Sequence, residues 1–384
     1  MKNILLFLSL ILPFLGPAQQ IIEGSIIHDG MQRDYILYIP DNYSGNESVP
    51  LILNYHGYTS TAYEQMYYGD FRSIADTAGF LLVHPQGSLY LGITHWNVGG
   101  WTIGSTVDDV GFSDALIDSL LAEYNIDPLR VYATGMSNGG FMSFLLACQL
   151  SEKIAAIASV AGSMTPETYD PCNPVHPTPI LQIHSIDDPL VPYSGASWTK
   201  PIDDALQYWV DYNNCFGLPT VTALPDIDPN DGSTVELIVY HDGDSGTNVE
   251  HYKITGGGHT WPGNAIGGPG TNYDIDASVE IWKFFMRYDL NGSVIPTGLE
   301  TISENDFDIE VYPNPFSSFT TIRFQDLKEN AVITLYNSVG ESIVAYRFSG
   351  NEFILKRNAL PAGLYFFQIA DNGSFFKTGK LIIQ

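Results

Sequence analysis

The sequence predicts an α/β domain with a doubly wound, mainly parallel sheet, followed by a small all-β sandwich domain. Two observations support this fold class. From about residue 21 to 290, apolar strand-like runs alternate with runs whose apolar residues recur at helical spacing. After residue 306, short alternating runs are separated by turn residues, as is typical of a β-sandwich.

The first domain is predicted to start with an antiparallel hairpin over "SIIHDGMQRDYILYIP". Further strands are predicted at "VPLILNYH", "FLLVHP", "RVYATG", "IAAIASVAG", "PILQIHS" and "EHYKIT". Helices are predicted at "VGFSDALIDSLLAEY", "GGFMSFLLACQL", "DDALQYWVDYN" and "DASVEIWKFFMRY". In a doubly wound sheet the ligand site lies beyond the carboxyl ends of the strands.

The second domain is predicted from the short runs "TTIRFQ", "AVITLYN", "SIVAYRF", "NEFILKR", "GLYFFQIA" and "GKLIIQ". Before it, "DLNGSVIPTGLETISENDFD" is polar and contains Gly and Pro, which predicts a linker. The predicted organisation is therefore a signal peptide at 1–18, an α/β domain at 19–292, a linker at 293–305 and a β-sandwich at 306–384.

The N-terminal stretch "MKNILLFLSLILPFLGPAQQ" combines Lys2, a short apolar run and small residues before Gln19. This pattern predicts a secretory signal peptide that is cleaved after Ala18. Pro13 and Pro17 interrupt the run before it reaches the ~20 apolar residues that a membrane-spanning helix needs. The later sequence has no run of that kind, so the mature chain is expected to have no transmembrane segment.

Charge narrows the range of partners. The chain has 43 Asp and Glu against 16 Lys and Arg, for a net charge of −27 at pH 7. Binding to nucleic-acid phosphates needs clustered Lys and Arg, so a nucleic-acid partner is not expected. Anionic membrane surfaces are disfavoured for the same electrostatic reason.

Three cysteines in a chain predicted to be exported permit one disulfide and leave one thiol over. Cys148 falls inside a helical run and is interpreted as a buried apolar residue. Cys172 and Cys215 lie in predicted loops, and a disulfide between these two is our hypothesis.

Ser137 is the candidate nucleophile. It lies in "GMSNG", where Gly135 and Gly139 complete the pattern G-x-S-x-G, between the predicted strand "RVYAT" and the predicted helix "GGFMSFLLACQL". Glycines at these positions allow a strained strand-to-helix turn that exposes the serine hydroxyl. Since a serine hydroxyl is a weak nucleophile, a histidine and a carboxylate must activate it, in the chain order Ser, acid, His.

Candidate acids follow in "ILQIHSIDDPLVPY", where Asp187 and Asp188 come directly after an apolar strand. Asp188 is preferred because Pro189 stiffens the turn after it, and Asp187 is kept as the alternative. The candidate base is His259, which lies on the glycine-rich loop "GGGHTWPG" after the last predicted strand.

Acyl transfer also needs two backbone N–H groups that stabilise the oxyanion. One is expected from Asn138, directly after the serine. The other is assigned to Tyr58 or Thr59 in "HGYTS", where Gly57 lets the backbone approach a substrate. His56 in the same motif is interpreted as forming a local hydrogen bond.

Trp96 and Trp261 lie in loops predicted at the carboxyl edge of the sheet, as does Trp101, and their rings could stack on a sugar or a phenolic acid. A role in packing is the alternative. Asp108 and Asp109 precede a predicted helix and are interpreted as N-terminal caps. The acidic loop "PDIDPNDGST" fails the EF-hand pattern, so no metal site is predicted.

Residues from about 25 to 290 resemble a family of exported serine esterases that groups polyhydroxybutyrate-depolymerase-like enzymes with feruloyl and acetylxylan esterases of carbohydrate esterase family 1. The shared motifs, in order, are "HGYTS", "VDDVGF", "DPLRVYATGMSNGGFM", "HSIDDPLVPY" and "GGGHTWPG". The resemblance implies an α/β-hydrolase fold, a triad of Ser137, Asp188 and His259, and no metal or organic cofactor. "HSIDD" departs from relatives, which often have His-Gly there, but the acid is retained.

The C-terminal part resembles the type IX secretion (Por) sorting domain of Bacteroidetes proteins. The resemblance is carried by "VYPNPF", "ITLYNSVGE", "LPAGLYFFQI" and "GKLIIQ". It implies that the type IX secretion machinery is a partner, and that the protein is exported through the periplasm and then secreted or attached to the cell surface.

Together these features predict a secreted serine carboxylic-ester hydrolase that acts through an acyl-enzyme, on feruloyl or acetyl esters of plant cell-wall polysaccharide. A polyhydroxybutyrate (oligo)ester depolymerase is the alternative substrate assignment. A serine peptidase of the same fold is a rival within hydrolases. A non-catalytic surface glycan-binding protein on a hydrolase scaffold is the alternative from another class.

Overall fold

The computed structural model describes residues 20–294, 309–337, 342–358, 360–371 and 374–384. The chain divides into two compact units, Met1–Thr297 and Gly298–Gln384. The predicted signal peptide, and all but the first two residues of the predicted linker, lie outside the described residues.

The first unit contains fourteen strands within residues 20–294: β1 (Gln20–His28), β2 (Met31–Ile39), β3 (Val49–Tyr55), β4 (Leu81–Pro85), β5 (Ser88–Tyr90), β6 (Ile93–His95), β7 (Ile126–Met136), β8 (Ala156–Val160), β9 (Ile180–Ser185), β10 (Thr220–Ala223), β11 (Thr234–Tyr240), β12 (Val249–Thr255), β13 (Tyr288–Asp289) and β14 (Gly292–Ser293). Its α-helices are α1 (Ala62–Tyr68), α2 (Arg72–Ala78), α3 (Asp109–Glu123), α4 (Asn138–Gln149), α5 (Pro166–Tyr169), α6 (Ile202–Tyr212) and α7 (Ala277–Phe285).

Ten of these strands form one sheet in the order β1-β2-β4-β3-β7-β8-β9-β12-β11-β10. The six central strands from β4 to β12 pair in parallel. Antiparallel pairs complete both edges, β1 and β2 on one side and β11 and β10 on the other. Because these strands are parallel, the carboxyl ends of β3, β7, β9 and β12 lie at the same end of the sheet, where a ligand site is expected.

Both faces of the sheet are covered by helices, which explains why the central strands are apolar on both sides. On one face, side chains of α3, α4 and α6 pack with alternate strand residues such as Leu51, Leu53 and Val131. On the other face, α2 and α7 pack with Ile52, Leu82 and neighbouring strand residues. The doubly wound α/β prediction is confirmed.

All six predicted central strands, the leading hairpin and the four predicted helices are present. The sequence did not predict the short helices α1, α2 and α5, the edge strands β10 and β11, or the short strands β5, β6, β13 and β14. A seven-residue helix shows only two turns of periodicity, and an edge strand such as β10 is exposed along its whole length.

The disulfide hypothesis was wrong. Cys148, near the end of α4, is bonded to Cys172, with Cα atoms 4.9 Å apart, and Cys215 is free. Cys148 is buried, as its helical context predicted, but the segment that follows α5 packs against α4 and brings Cys172 to it. Burial raises the pKa of the Cys215 thiol to about 11, so this thiol stays protonated near neutral pH.

In the second unit, the described residues form β15 (Ile309–Tyr312), β16 (Phe319–Tyr336), β17 (Ser342–Lys356), β18 (Gly363–Asp371) and β19 (Ser374–Ile383). These strands pair in antiparallel fashion within one sheet, with β16 bonded to β15, β17 and β18, and an isolated parallel bridge joins Phe316 to Ile383. The all-β prediction is confirmed. Two pairs of predicted strands are each one long strand, β16 and β17, because register shifts let the ladder continue past the expected turns.

The apolar core of this unit includes Phe316, Ile322, Ile333, Phe367 and Leu381. None of the helices in the described parts of the chain is both long and apolar enough to cross a membrane.

Candidate active site

Ser137 occupies a sharp turn between β7 and α4. Its backbone has φ 54° and ψ −118°, a left-handed conformation that a serine adopts only under tertiary constraint. Its amide donates to Val160 O at 2.8 Å, which ties the turn to the neighbouring strand β8. The side chain makes no capping bond to α4, so its hydroxyl is not consumed by the helix it precedes.

The two glycines around Ser137 are required by close backbone contacts. A Cβ atom at Gly139 would lie 2.1 Å from Tyr55 O, and one at Gly135 would lie 2.6 Å from the same atom. Both distances are far below van der Waals contact, so β3 and the turn approach this closely only without side chains. The G-x-S-x-G pattern thus reflects packing of the turn against β3.

Asp188 lies in the loop after β9 and its carboxylate is fully buried. Oδ1 accepts hydrogen bonds from the amides of Leu190 at 2.8 Å and Val191 at 2.9 Å. Oδ2 accepts from Nδ1 of His259 at 2.7 Å, while Nε2 of His184 lies 3.6 Å away. The carboxylate is therefore surrounded by donors, as a buried charge requires.

Burial alone would raise the pKa of Asp188, but the hydrogen bond and charge of His259 outweigh this effect. The amide of Val191 and the nearby His184 act in the same direction, so the net pKa of Asp188 lies below the ordinary value. Asp188 is consequently ionised near neutral pH. It holds the proton of His259 on Nδ1, which leaves Nε2 as the basic atom of the neutral ring.

Asp187, the alternative acid, differs from Asp188 in its exposure to solvent. It is exposed, and its Oδ2 accepts from the amide of Gly256 at 2.9 Å. The structure therefore joins His259 to Asp188 and places the alternative acid at the surface.

The candidate oxyanion donors lie beside Ser137. A Cβ atom on Gly57 would be 3.6 Å from Ser137 Cβ, so the loop that carries Tyr58 runs against the serine. Thr59 does not fit the role predicted for it, because its amide already donates to Thr94 O at 3.0 Å. Tyr58 and Asn138 are therefore the two candidate N–H donors.

Asn138 is held by a two-point contact with the backbone of Trp96. Its Oδ1 accepts from Trp96 N at 2.7 Å, and its Nδ2 donates to Trp96 O at 3.2 Å. The Trp96 indole in turn donates to His56 O at 2.9 Å. These bonds connect the start of α4 to the loop that carries Tyr58.

The buried side chain of His56 also stabilises the loop that carries Tyr58. Its Nε2 accepts from the amide of Gly87 at 2.9 Å, so its Nδ1 carries the proton and donates to Gly57 O at 2.7 Å. Burial lowers the pKa of His56 to about 4, which keeps the ring neutral. The structure thus gives His56 the local hydrogen-bonding role that the sequence suggested.

A cavity of about 380 Å³ joins these groups, lined by Gly57, Tyr58, Thr59, Ser60, Gln65, Tyr68, Met136, Ser137, Leu190 and His259. Trp96 and Trp261 do not line it. Both are almost fully buried, so the prediction that they stack on substrate is corrected. Trp261 packs edge-on against Phe71 and its indole donates to Ser278 Oγ at 3.1 Å, which is a packing role. Trp101 is partly exposed and contacts the ring of Tyr58 edge-on.

The sequence did not predict Gln65 and Tyr68 as residues of the candidate site, because it did not predict α1. The signal was present: Thr61 caps α1 by accepting from the amide of Glu64, and Thr followed three residues later by Glu is the pattern of a capping box.

One cluster among the described residues could offer metal ligands, namely His28, Asp29 and Asp108. None of the three lines the cavity that contains Ser137. Asp108 also caps α3 by accepting from the amide of Gly111.

Two family profiles match the chain. The phospholipase/carboxylesterase profile matches residues 109–214, which run from the start of α3 past the end of α6 and include Ser137 and Asp188. The profile of a secretion system C-terminal sorting domain matches residues 310–384.

Curated relatives are named as esterases. The chain is 28% identical over 270 residues to "Bifunctional acetylxylan esterase/xylanase XynS20E" of Neocallimastix patriciarum, covering 70% of this chain and 35% of that protein. It is 30% identical over 238 residues to "Feruloyl esterase B" of Piromyces equi, covering 59% of this chain and 42% of that protein. The matched part is thus well under half the length of these two relatives.

A third relative is covered more fully. "Putative esterase NocK" of Nocardia uniformis subsp. tsuyamanensis is 30% identical over 261 residues, which are 63% of this chain and 74% of that protein. Among solved structures, an acetyl xylan esterase from Aspergillus awamori aligns with a TM-score of 0.50 at 14% identity, covering 70% of this chain and 99% of that one. At this identity the likeness concerns the fold alone.

Proposed function

Because the chain belongs to the carboxylesterase family of α/β-hydrolases, we propose that it hydrolyses carboxylic esters through an acyl-enzyme formed on Ser137. The observation that carries this proposal is the 2.7 Å hydrogen bond between buried Asp188 and His259, at a cavity that Ser137 and His259 both line. This arrangement supplies a nucleophile, a base and a group that orients the base.

In the first step, the Ser137 hydroxyl attacks the ester carbonyl carbon while its proton moves to Nε2 of His259. The negative charge that develops on the carbonyl oxygen accepts hydrogen bonds from the amides of Asn138 and Tyr58. The buried carboxylate of Asp188 stabilises the imidazolium that forms. The carbon–oxygen bond to the alcohol then breaks, and His259 returns the proton to the departing alkoxide oxygen.

In the second step, water attacks the acyl-enzyme while His259 accepts one of its protons. The tetrahedral intermediate collapses to the free acid, and the proton returns to the Ser137 oxygen. The Ser137 hydroxyl makes no capping bond with α4, so no such bond has to break before either step.

We further propose feruloyl or acetyl esters of plant cell-wall polysaccharide as substrates. Support comes from the names of the acetylxylan and feruloyl esterase relatives. A cavity of about 380 Å³ lies within the size range of sites for small organic ligands, and it has room for an aromatic acyl group as well as for acetyl. Oligoesters of hydroxybutyrate are the alternative substrate, and they would enter the same cavity.

The second unit is proposed to direct export. Its match to a secretion-system sorting domain supports delivery by the type IX machinery to the cell surface or the medium. The predicted signal peptide would account for passage across the inner membrane.

The decisive experiment is Ser137→Ala. We expect kcat for p-nitrophenyl acetate to fall on the order of 10⁴- to 10⁶-fold, because only oxyanion stabilisation and binding are left. Unaltered far-UV circular dichroism would exclude unfolding as the cause. Full activity in this variant would refute the acyl-enzyme proposal.

Two further measurements separate the rivals. A fluorophosphonate probe should label wild-type protein and spare Ser137→Ala, whereas a glycan-binding protein without an activated serine would not be labelled at all. A serine peptidase would also cleave peptide amides, which an esterase would leave intact. Parallel assays on methyl ferulate, acetylated xylan and hydroxybutyrate oligomers then rank the substrate classes.

A further inference from the structure

Helix α1 contributes two polar side chains, Gln65 and Tyr68, to the wall of the cavity that contains Ser137. Because they are three positions apart, both lie on one face of the helix. Tyr63 and Tyr67, in contrast, are 59% and 37% exposed. One face of α1 thus belongs to the cavity while another belongs to the surface.

The Tyr68 hydroxyl has an unused proton. Its oxygen accepts a hydrogen bond from the amide of Trp261 at 3.2 Å, two residues beyond His259. Within the described residues, the structure shows no acceptor for the Tyr68 O–H itself. Burial raises the pKa of Tyr68, so the group is a hydrogen-bond donor at neutral pH. The bond from Trp261 holds the oxygen in place and leaves the proton for a molecule in the cavity.

Gln65 offers the complementary group. Its side chain is only 1% exposed, and its Nε2 donates to Asn54 Oδ1 at 2.9 Å. Asn54 is itself oriented, since its Nδ2 donates to Gly69 O at 2.8 Å. This chain of bonds assigns the Gln65 amide nitrogen to Asn54. The structure shows no donor to the Gln65 carbonyl oxygen among the described residues. Because the Gln65 side chain lines the cavity, this oxygen is an acceptor for a molecule bound there.

We propose that Gln65 and Tyr68 form a hydroxyl-binding pair that recognises a hydroxyl group on the substrate. A hydroxyl accepts one hydrogen bond and donates another, so it satisfies Tyr68 O–H and Gln65 Oε1 together. An ether or carbonyl oxygen would satisfy only Tyr68. The pair deepens the esterase function proposed above and rests on it: the preferred ester carries a hydroxyl in addition to its ester group.

Two parts of a substrate could supply that hydroxyl. One is a phenolic hydroxyl on the acyl group, as in a hydroxycinnamate. The other is a hydroxyl on the alcohol, as on a sugar ring beside the esterified oxygen. Both present the same chemistry to Gln65 and Tyr68, and two pairs of matched esters distinguish them.

The experiment compares kcat/KM of wild-type protein and Tyr68→Phe on these pairs. Methyl 4-hydroxycinnamate against methyl cinnamate tests the acyl side, and 2-hydroxyethyl acetate against propyl acetate tests the alcohol side. We expect the preference of the wild type for the hydroxylated member of one pair to fall about 3- to 10-fold in Tyr68→Phe, the range of one net hydrogen bond.

Comparing kcat/KM for two substrates on the same protein preparation separates a loss of hydroxyl recognition from a general loss of activity. Tyr68→Phe also takes the acceptor from the Trp261 amide and could disturb the His259 loop. That effect, like a loss of folded protein, lowers the rates on both members of a pair alike. Tyr63→Phe is the matched control, because it removes a phenol hydroxyl from an exposed position of the same helix and should leave both ratios at the wild-type value.

Binding tests the pair separately from catalysis. Dissociation constants for the same four esters are measured by calorimetry with Ser137→Ala and with Ser137→Ala/Tyr68→Phe. A hydroxyl preference that Tyr68→Phe removes supports the pair, even if Ser137→Ala were to retain turnover and so refute the acyl-enzyme proposal. Equal ratios with and without the Tyr68 hydroxyl, for both ester pairs, would overturn the hydroxyl-binding pair while leaving the esterase function standing.

Discussion

Two pairs of adjacent aspartates divide in the same way in different parts of the α/β unit. At the loop after β9, Asp187 is exposed while Asp188 is buried and bonded to His259, 71 positions away. At the start of α3, Asp108 is exposed and caps the helix, while Asp109 is buried and bonded to Arg33, 76 positions away. In each pair one carboxylate is exposed, and the other is buried and bonded to a side chain far away in the chain.

The two buried carboxylates differ in what they pair with. Asp109 Oδ1 lies 2.6 Å from Nη2 of Arg33, its Oδ2 accepts from the amide of Asn97 at 2.7 Å, and the guanidinium stacks 3.9 Å from the centre of the Phe112 ring. An arginine is always charged, so the Arg33 member of this pair does not take part in proton transfer. A histidine side chain, unlike an arginine, can accept a proton from a nucleophile, and His259 lines the cavity that contains Ser137.

The comparison shows that burial of a carboxylate does not by itself identify a catalytic group. Both acids are buried, and both are surrounded by donors. What separates them is whether the partner titrates and whether it faces a cavity that also contains a nucleophile.

The largest expected effect comes from Asp188→Asn. Asparagine can donate to Nδ1 of His259 and so favours the wrong tautomer, which should lower kcat for p-nitrophenyl acetate about 10⁴-fold. Initial-rate assays on equal concentrations of wild type and Asp188→Asn, with folding checked by far-UV circular dichroism, measure this loss.

Asp187→Asn is the matched control for that loss. Its carboxamide oxygen can still accept from the Gly256 amide, so activity should stay within a few-fold of wild type. If Asp187→Asn were as inactive as Asp188→Asn, the assignment of the acid from the 2.7 Å contact would be wrong.

The second effect is on stability at the other pair. Asp109→Asn leaves the buried Arg33 guanidinium without a counter-charge, and we expect the free energy of unfolding to fall by about 3–5 kcal/mol. Guanidinium chloride denaturation at pH 7 gives this value.

Asp108→Ala serves as the control at that site, since losing one N-cap costs about 1 kcal/mol. The double change Arg33→Met/Asp109→Leu should recover most of the stability, because an apolar pair of similar volume needs no counter-charge. Equal losses for Asp108→Ala and Asp109→Asn would contradict the view that the buried pair of Asp109 with Arg33 contributes more to stability than the contacts of exposed Asp108.

The smallest expected effect concerns His84, a histidine whose side chain is fully buried. Burial lowers the pKa of His84 to about 3, while the charge of Asp70 raises it more weakly and the charge of Arg72 adds to the lowering. Its pKa in the unfolded chain is about 6.5, so below that pH the unfolded state takes up the proton first and stability is lost as pH falls towards the folded value. Between pH 7 and pH 5 this single histidine should cost about 2 kcal/mol.

Urea denaturation of wild type and His84→Met at pH 7 and pH 5 measures this loss of unfolding free energy. The variant should lose about 2 kcal/mol less than wild type over this interval, while His56 and His251, which burial also shifts to low pKa values, continue to destabilise both proteins. The same pH sensitivity in both proteins would show that His84 does not stay neutral when buried.

Much of the fold could be predicted because periodicity along the chain reports burial directly. The six central strands are apolar on both faces, and α3, α4, α6 and α7 have enough turns to show a buried side. Helix α1 could not be recognised in this way, since seven residues give too few repeats, and with it Gln65 and Tyr68 were lost from the candidate site.

The candidate site was predictable where its geometry is local. The turn at Ser137 depends on glycines two residues before and after it, and the structure explains both through their contact with Tyr55 O. Trp96 and Trp261 were misjudged because loop position says nothing of which way a ring points. Thr59 was misjudged because the partner of its amide, Thr94, belongs to the separate hairpin of β5 and β6.

The sequence by itself determined the α/β and all-β division, the strained serine turn and the order of serine, acid and histidine, because these depend on local backbone chemistry and on periodic burial. Only the tertiary structure decided that His259 meets Asp188 and not Asp187, that Cys172 bonds Cys148, and that α1 brings Gln65 and Tyr68 to the cavity. Such pairings join residues far apart in the chain. The order of strands in the sheet and the packing of helices on it set the distances between them, and no short stretch of sequence contains that information.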